Sequence, residues 1–421
     1  CRSVLTGWKA MSISSRPNLG ILKNKKKIYV IISDALRYEI ADELLSLVRR
    51  EDRYDAEIEP MLGMLPSYTQ LGMASLLPNR EITFVENGAG TVLVDGMATQ
   101  GAPNRDKILK NTVPQSCAIR AEDLLGMGKD ECRALVRDHN VVYVYHNRID
   151  SIGDKRESEE RVFEAVEDAL GDLLNIIKKL TAANATNLIV TADHGFIYQN
   201  RAIEDSDFST AVLDPNDTRI QYFDRRFVLG HHLDDQPGLK KFHTSQVRLT
   251  GDMEILLPKS IQRLRQKGSG SRYVHGGAAL QELVVPVLLV NKKRESDTSR
   301  VEVDIMRGAG TLITSGQLSV VFYQVQAVSE KVWGRKLRAG IYSLSGVLVS
   351  DQHELDFDLA EENARERETP VRFMLTREAD QFNNQEVVLR LDEQIDDTSH
   401  YREYKSLRYT LRRSFTSDFE F

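Results

Sequence analysis

The stretch Lys27–Glu39, KIYVIISDALRYE, closes an almost wholly apolar run on a lone acidic residue, Asp34, and passes straight into a helical pattern. A strand apolar on both faces belongs in a parallel sheet covered on both sides, and in such sheets ligands bind outside the carboxyl ends of the strands. Asp34 therefore stands where a site is expected. Its plainer reading is an N-cap for a helix beginning near Ala35, a role that Asp fills well.

The same alternation continues to about Asn291. VVYVYHN (Val141–Asn147) reads as a second buried strand. A long helix follows, with Val162, Val166, Ala169, Leu173, Ile176, Ile177 and Leu180 on one face, and leads to the strand NLIVTAD (Asn187–Asp193). LVVPVLLV (Leu283–Val290) is a further buried strand. Strands separated by helices predict an α/β fold with a largely parallel sheet flanked by helices, over residues 27–291. Residues 198–272 are polar, broken by DPND and GSGS, and read as an insertion over the sheet's edge.

Residues 1–26, ending in Lys23, Lys25 and Lys26, read as a linker or the remnant of a longer amino-terminal region, since the chain opens on Cys1 rather than Met. At NKKRESDTS (Asn291–Ser299) charge replaces apolar runs, as in a domain linker. Beyond it Val301/Val303/Ile305, Val371/Phe373/Leu375 and Val387/Leu389/Leu391 alternate with polar neighbours. That period predicts a β-sandwich-like C-terminal domain over 300–421.

Composition narrows the function. With 56 Lys+Arg against 62 Asp+Glu and a net charge of -6, the 421-residue chain lacks a global basic footprint, so any nucleic-acid contact is local. Three widely spaced cysteines, Cys1, Cys117 and Cys132, fit a reducing compartment, with the cytoplasm as the expectation. No run approaches the ~18 apolar residues of a membrane span.

Asp34 gains company at the other strand ends. NLIVTADHGF delivers Asp193 and His194; YHNRIDSIGDK supplies Asp150 and Asp154, with Gly153 permitting a tight turn; YVHGGAALQELVVP offers His275. Each has a plainer reading: a turn after a strand, a solvated loop pair, an ordinary loop histidine. Their shared position at strand ends outweighs these. Carboxylates mixed with imidazoles suit divalent ions such as zinc, manganese or magnesium, and two clusters of about three ligands would make a two-metal site. For a nucleophile, MLPSYTQLGMASLLP (Met64–Pro78) places Ser67 and Thr69 near a helix amino terminus, where a hydroxyl and a phosphate are favoured; either could instead be an N-cap.

These motifs resemble the alkaline phosphatase superfamily. More narrowly, VIISDALRYE, LPSYTQLGMASLLP, TADHGF and YVHGGAALQELVVPV together resemble the PglZ family, the phosphatase-like component of BREX phage-defence systems, over about Lys27–Val290. The resemblance implies two divalent metal ions, zinc first, with manganese or magnesium as alternatives. Asp34, Thr69, Asp193 and His194 would surround one, with Thr69 as nucleophile, and Asp150, Asp154 and His275 would hold the other. Asp154 departs from the superfamily, which commonly has histidine there, and a carboxylate shifts preference towards harder ions. The implied reaction is phosphoester hydrolysis through a phosphothreonine, with no histidine general base required. The implied partners are other BREX proteins, and DNA is the implied substrate, its backbone met by Arg225, Arg226 and the run Gln262–Arg272, unless these are simply solvated. A phosphatase-like scaffold that docks other defence proteins, and a phosphomonoesterase for small substrates, are the alternatives.

Overall fold

The structure is a computed structural model that describes residues 27–155, 157–266, 272–306, 308, 310–395 and 398–413. The linker expected over 1–26 and the GSGS break lie outside these. The chain divides into two compact units, one formed by Tyr54–Arg294 with the chain before Arg50, the other by Glu295 onwards with Arg50–Arg53.

The first unit is built on six strands: β1 (Ile28–Ser33), β2 (Tyr54–Leu62), β3 (Ser116–Arg120), β4 (Val141–His146), β5 (Asn187–Thr191) and β6 (Val284–Lys292), in the order β2-β6-β5-β1-β4-β3. Strands β1 and β4 are buried along their whole length, so helices cover both faces of the central sheet. Helices α1 (Tyr38–Arg50), α2 (Thr69–Ser75), α3 (Gly101–Thr112), α4 (Ala121–Gly126), α5 (Lys129–Asp138), α6 (Arg148–Gly153) and α7 (Val162–Ala182) supply the cover. The α7 stripe is the one the sequence marks: Leu173, Ile176, Ile177 and Leu180 are fully buried, each contributing about 1.5–3 kcal/mol by leaving water.

Strands β1, β3, β4 and β5 run parallel. LVVPVLLV does not join them in that sense. It becomes β6, antiparallel to both β5 and β2. The reason lies in the approach of the chain, which enters β6 from a loop at the carboxyl edge of the parallel strands and must run back across the sheet. Thus His275, ahead of β6, reaches the same edge as residues that follow β1, β4 and β5. Between Tyr198 and Arg272 the chain folds into a four-stranded antiparallel sheet, Ile220–Phe223, Val228–Gly230, Glu254–Pro258 and Leu239–His243 in spatial order, with its own small core of Val228, Leu233, Leu239, Leu256 and Leu264.

The second unit is built mainly on two β-sheets, with a short parallel pair of Ser299–Arg300 and Val332–Trp333 beside them. A five-stranded sheet (Leu312–Ile313, Tyr401–Leu411, Glu386–Gln394, Arg335–Ser343, Leu348–Phe357) and a three-stranded sheet (Val303–Met306, Gln317–Gln324, Glu368–Met374) share one core. Phe322 of the smaller sheet meets Phe357 of the larger edge-on, with ring centres 6.3 Å apart, a geometry that aromatic pairs prefer. The alternation of Val387, Leu389 and Leu391 points these side chains inward while Arg408 stays outside, paired with Glu386. Among the described residues no helix is long and apolar enough to cross a membrane.

Candidate active site

Asp34 follows the last residue of β1, and its backbone N–H donates to the His146 carbonyl at the end of β4 (2.8 Å). The helix expected near Ala35 begins only at Tyr38, so Asp34 is not its cap. Instead Ala35 takes a left-handed φ of 63°, a conformation that costs a non-glycine residue energy and that clusters at functional sites. This turn lets the Ala35 N–H donate to Asp193 Oδ1 (3.2 Å). Asp34 Oδ1 and Asp193 Oδ2 are both buried and have no hydrogen-bond partner. Burial, and next the neighbouring Asp193 charge, push the Asp34 carboxyl well above the usual carboxylate range, with Arg105 pulling weakly the other way.

His194 completes this group. Its Nε2 lies 3.5 Å from Asp34 Oδ1, 3.4 Å from Asp193 Oδ2 and 3.0 Å from Thr69 Oγ1. The other ring nitrogen, Nδ1, sits 2.9 Å from the Gly195 carbonyl. A carbonyl only accepts, so Nδ1 carries the proton and Nε2 turns a lone pair towards Thr69 and the two carboxylates. Burial lowers the His194 pKa, against the pull of Asp193, which keeps the ring neutral and fit to ligate. Thr69, the first residue of α2, is held there by close packing: a Cβ on Gly72 would run into the Asp193 carbonyl, so α2 can approach only with glycine at this turn. Ser67, the other hydroxyl in the motif, is spent elsewhere. Its Oγ donates to the Gly277 carbonyl (2.6 Å).

A second group stands beside the first. The His275 ring stacks on that of His194, with centres 4.2 Å apart and planes 13° from parallel, and its Nε2 lies 3.7 Å from Asp150 Oδ1. Asp150, in the first turn of α6, accepts a hydrogen bond from the Tyr273 hydroxyl (3.1 Å). Two sets of ligand atoms are close enough to share an ion: Asp34, Asp193 and His194, and Asp150, His194 and His275. Asp154, at the end of α6, is exposed and falls outside both sets. Burial depresses the His275 pKa, but Asp150, Asp224 and Asp154 outweigh it and the net shift is upward. A third set, Glu86, His231 and Asp252, lies on the surface.

Several supporting residues carry no sequence signature. Glu159 is buried and receives the N–H groups of Arg272 and Tyr273 (3.1 and 3.4 Å), and so fixes the tyrosine that orients Asp150. Asp224, whose charge acts on His275, belongs to a loop pressed against Gly276 through Phe227. Arg226, expected on the surface to meet a nucleic-acid backbone, is fully buried and forks onto Glu282 (2.8 and 2.7 Å). Glu282 in turn accepts the N–H groups of Gly277 and Ala279 (2.9 and 3.1 Å). This pair anchors the loop that carries His275, and a buried guanidinium requires such a partner. Arg225 and Arg263 are also buried. In the run Gln262–Arg272, Arg265 is exposed but paired with Asp205 (2.8 Å), and residues 267–271 lie outside the described ones.

Residues 19–290 match the family model for the BREX system PglZ alkaline phosphatase-like domain. The chain belongs to the PglZ family. Among PglZ relatives it is 38% identical over 340 residues to the alkaline phosphatase-like protein BrxZ of Escherichia coli O9:H4 (strain HS), covering 79% of this chain and 39% of that protein. It is 32% identical over 407 residues to the alkaline phosphatase-like protein PglZ of Bacillus cereus (strain H3081.97), covering 95% of this chain and 46% of that one. The chain thus spans less than half the length of these two relatives. A solved structure with a similar chain path is murine ectonucleotide pyrophosphatase/phosphodiesterase 5, with a TM-score of 0.41 and 14% identity, covering 63% of this chain and 88% of that one.

Proposed function

We propose that this PglZ-family chain is the metal-dependent phosphoester hydrolase module of a BREX phage-defence protein, a phosphodiesterase that cleaves DNA through Thr69. The observation that carries the reading is the pair of buried, unpartnered carboxylate oxygens, Asp34 Oδ1 and Asp193 Oδ2, beside the Thr69 hydroxyl and the His194 lone pair. Unpaired buried carboxylates are costly, and a cation removes that cost. The donor set of oxygen and imidazole nitrogen fits a divalent ion of the zinc, manganese or magnesium kind.

Asp34, Asp193 and His194 would hold one ion, and Asp150 and His275, with Asp154 nearby, the second. Bound there, such ions supply Lewis acidity towards phosphoryl oxygens and lower the pKa of hydroxyl groups. The residues do the rest. The 3.0 Å contact between Thr69 Oγ1 and His194 Nε2 holds the hydroxyl beside the ligand atoms, where a bound ion would lower its pKa without a histidine base. Thr69 Oγ1 forms the new bond to phosphorus as the ester oxygen leaves, and water then cleaves the phosphothreonine and restores the hydroxyl. Gly72 and the Ala35–Asp193 hydrogen bond keep the nucleophile and the carboxylates in register.

DNA as the substrate rests on membership of a phage-defence family, and other BREX proteins are the proposed partners on the same ground. The buried Arg226 takes no part in DNA contact. The experiment is direct: supercoiled plasmid, a chromogenic phosphodiester and a chromogenic phosphomonoester are each incubated with the protein under manganese, zinc, magnesium or chelator. Metal-dependent nicking that fails in Thr69→Ala and persists in Ser67→Ala supports the reading. Efficient turnover of the monoester with plasmid untouched replaces it with a small-substrate phosphatase. No turnover by metal-loaded protein replaces it with a docking scaffold.

A further inference from the structure

Asp34, Asp193 and Asp150 face the two ion positions, and they are held differently. Asp34 Oδ1 and Asp193 Oδ2 are buried without a hydrogen-bond partner. Asp150 Oδ1, by contrast, accepts the Tyr273 hydroxyl (3.1 Å) while lying 3.7 Å from His275 Nε2. A phenol at neutral pH donates to a carboxylate, so one oxygen of Asp150 is engaged before any ion arrives.

The surroundings of Tyr273 fix that hydroxyl in place. The residue is 4% exposed. Its ring lies 4.8 Å from that of Phe196 and meets the His275 ring edge-on, at 6.1 Å and 70°. A Cβ on Gly153 would come within 2.5–2.7 Å of three of its ring atoms, so α6 brings Asp150 up to the tyrosine only because glycine stands at the helix end. The backbone is held as well. Tyr273 and Val274 pair antiparallel with Tyr198 and Ile197, and Glu159 accepts the Tyr273 N–H (3.4 Å). One residue thus touches the helix that carries Asp150, the ring of His275 and, through Phe196, the segment that follows His194.

This placement bears on which ion fits. Ligation by both oxygens of Asp150 would give up the hydrogen bond and leave a buried hydroxyl unpaired, which is costly. Manganese and calcium are both hard ions that take oxygen ligands. Calcium, the larger, gathers about 6–8 oxygens and often takes a carboxylate by both of its own, whereas manganese is content with octahedral ligation.

We propose that Tyr273 is a positioning residue for the second ion: its hydroxyl holds Asp150 to single-oxygen ligation and so selects small divalent ions such as manganese or zinc against calcium. The proposal rests on the two-ion reading above and adds to it the residue that sets which ion Asp150 and His275 keep.

The test is metal binding without substrate. Metal-free wild type and Tyr273→Phe are titrated by calorimetry with manganese alone and with calcium alone. The second position is identified as the binding step lost in His275→Ala. Phe keeps the ring against Phe196 and Gly153 and removes only the hydroxyl, so an unchanged melting temperature in chelator is the control. In Tyr273→Phe the manganese affinity of that step is expected to fall about 10–100-fold, while its calcium affinity holds or rises and the first manganese step stays where it is. The ratio of manganese to calcium affinity then falls by about 10-fold or more. A residue that merely supports the fold would lower both affinities together. Replacing Tyr273 with 4-aminophenylalanine returns a donor at the same place and is expected to recover the ratio. Unchanged affinities in Tyr273→Phe, an equal fall for the two ions, or no recovery with the amino side chain overturn the proposal while leaving the two-ion reading intact. If wild type shows no manganese step that His275→Ala abolishes, the two-ion reading fails first and this proposal with it.

Discussion

The two ligand groups at the carboxyl edge of the sheet differ in depth and in the kind of chain that presents them. Asp34, Asp193 and His194 follow directly from central strands, and their side chains are at most 4% exposed. Asp150 and His275 come from a short helix and a loop, are 15% and 17% exposed, and lie near an Asp154 that is open to solvent. Central strands are rigid and exclude water, so the inner group pays the higher electrostatic cost when no ion is present and should hold one most firmly. The outer group depends on loops braced by Glu159 and by the Arg226–Glu282 pair, and should exchange its ion more readily.

The largest expected effect breaks the inner group. Thr69→Ala is expected to lower phosphodiester turnover by about 10³-fold or more, with metal content and melting temperature unchanged; equal activity in the variant would remove Thr69 from the chemistry. Gly72→Ala should come close to it in severity, because a Cβ there collides with the Asp193 backbone and displaces Thr69 from His194.

The outer group is tested next. Glu282→Gln leaves Arg226 buried without its counter-charge and is expected to destabilise the protein by about 3–5 kcal/mol, read as the shift in a denaturant midpoint. It should also release metal from the outer position first. In metal titrations wild type should fill in two phases, and Asp154→Ala should weaken only the second, by about 10–100-fold, the usual range for supporting groups around a metal. Asp154→His should shift the preference of that phase towards zinc. A single phase untouched by either substitution would erase the distinction between the groups.

The smallest effect concerns stability without metal. The Asp34 pKa is raised in the folded protein, so over the range from the ordinary carboxylate value, near ~4, up to the raised one the folded state binds more protons than the unfolded. Stability then falls as pH rises through that window. In chelator, Asp34→Asn should therefore flatten the pH dependence and raise stability at neutral pH by about 0.5–2 kcal/mol. With metal present the order should reverse, since wild type gains from the ion and the variant does not.

Much of this arrangement is legible in the sequence for a simple reason. Asp34 and Asp193–His194 each end an apolar run, and an apolar run is the strongest local signal of a buried strand. Other features leave no such trace. The direction of β6 is set by where its preceding loop starts, which apolar content does not encode. Strand β2 shows polar residues on one face and β3, SCAIR, is mostly half-buried with a single large apolar residue, so neither stands out. Arg226 and Glu282 are 56 positions apart, and only the fold discloses that two charged residues become one buried pair. The grouping of ligands is also tertiary: His194 lies within reach of both sets, whereas a chain-order reading assigns it to one.

The most direct test of the two-group account is anomalous scattering from crystals soaked in manganese or zinc. The account predicts two peaks at the sheet's carboxyl edge, one bound by Asp34, Asp193 and His194 and filled at low metal, the other bound by Asp150 and His275 and filled later. Peaks confined to the surface set of Glu86, His231 and Asp252, or none near Thr69, would contradict it.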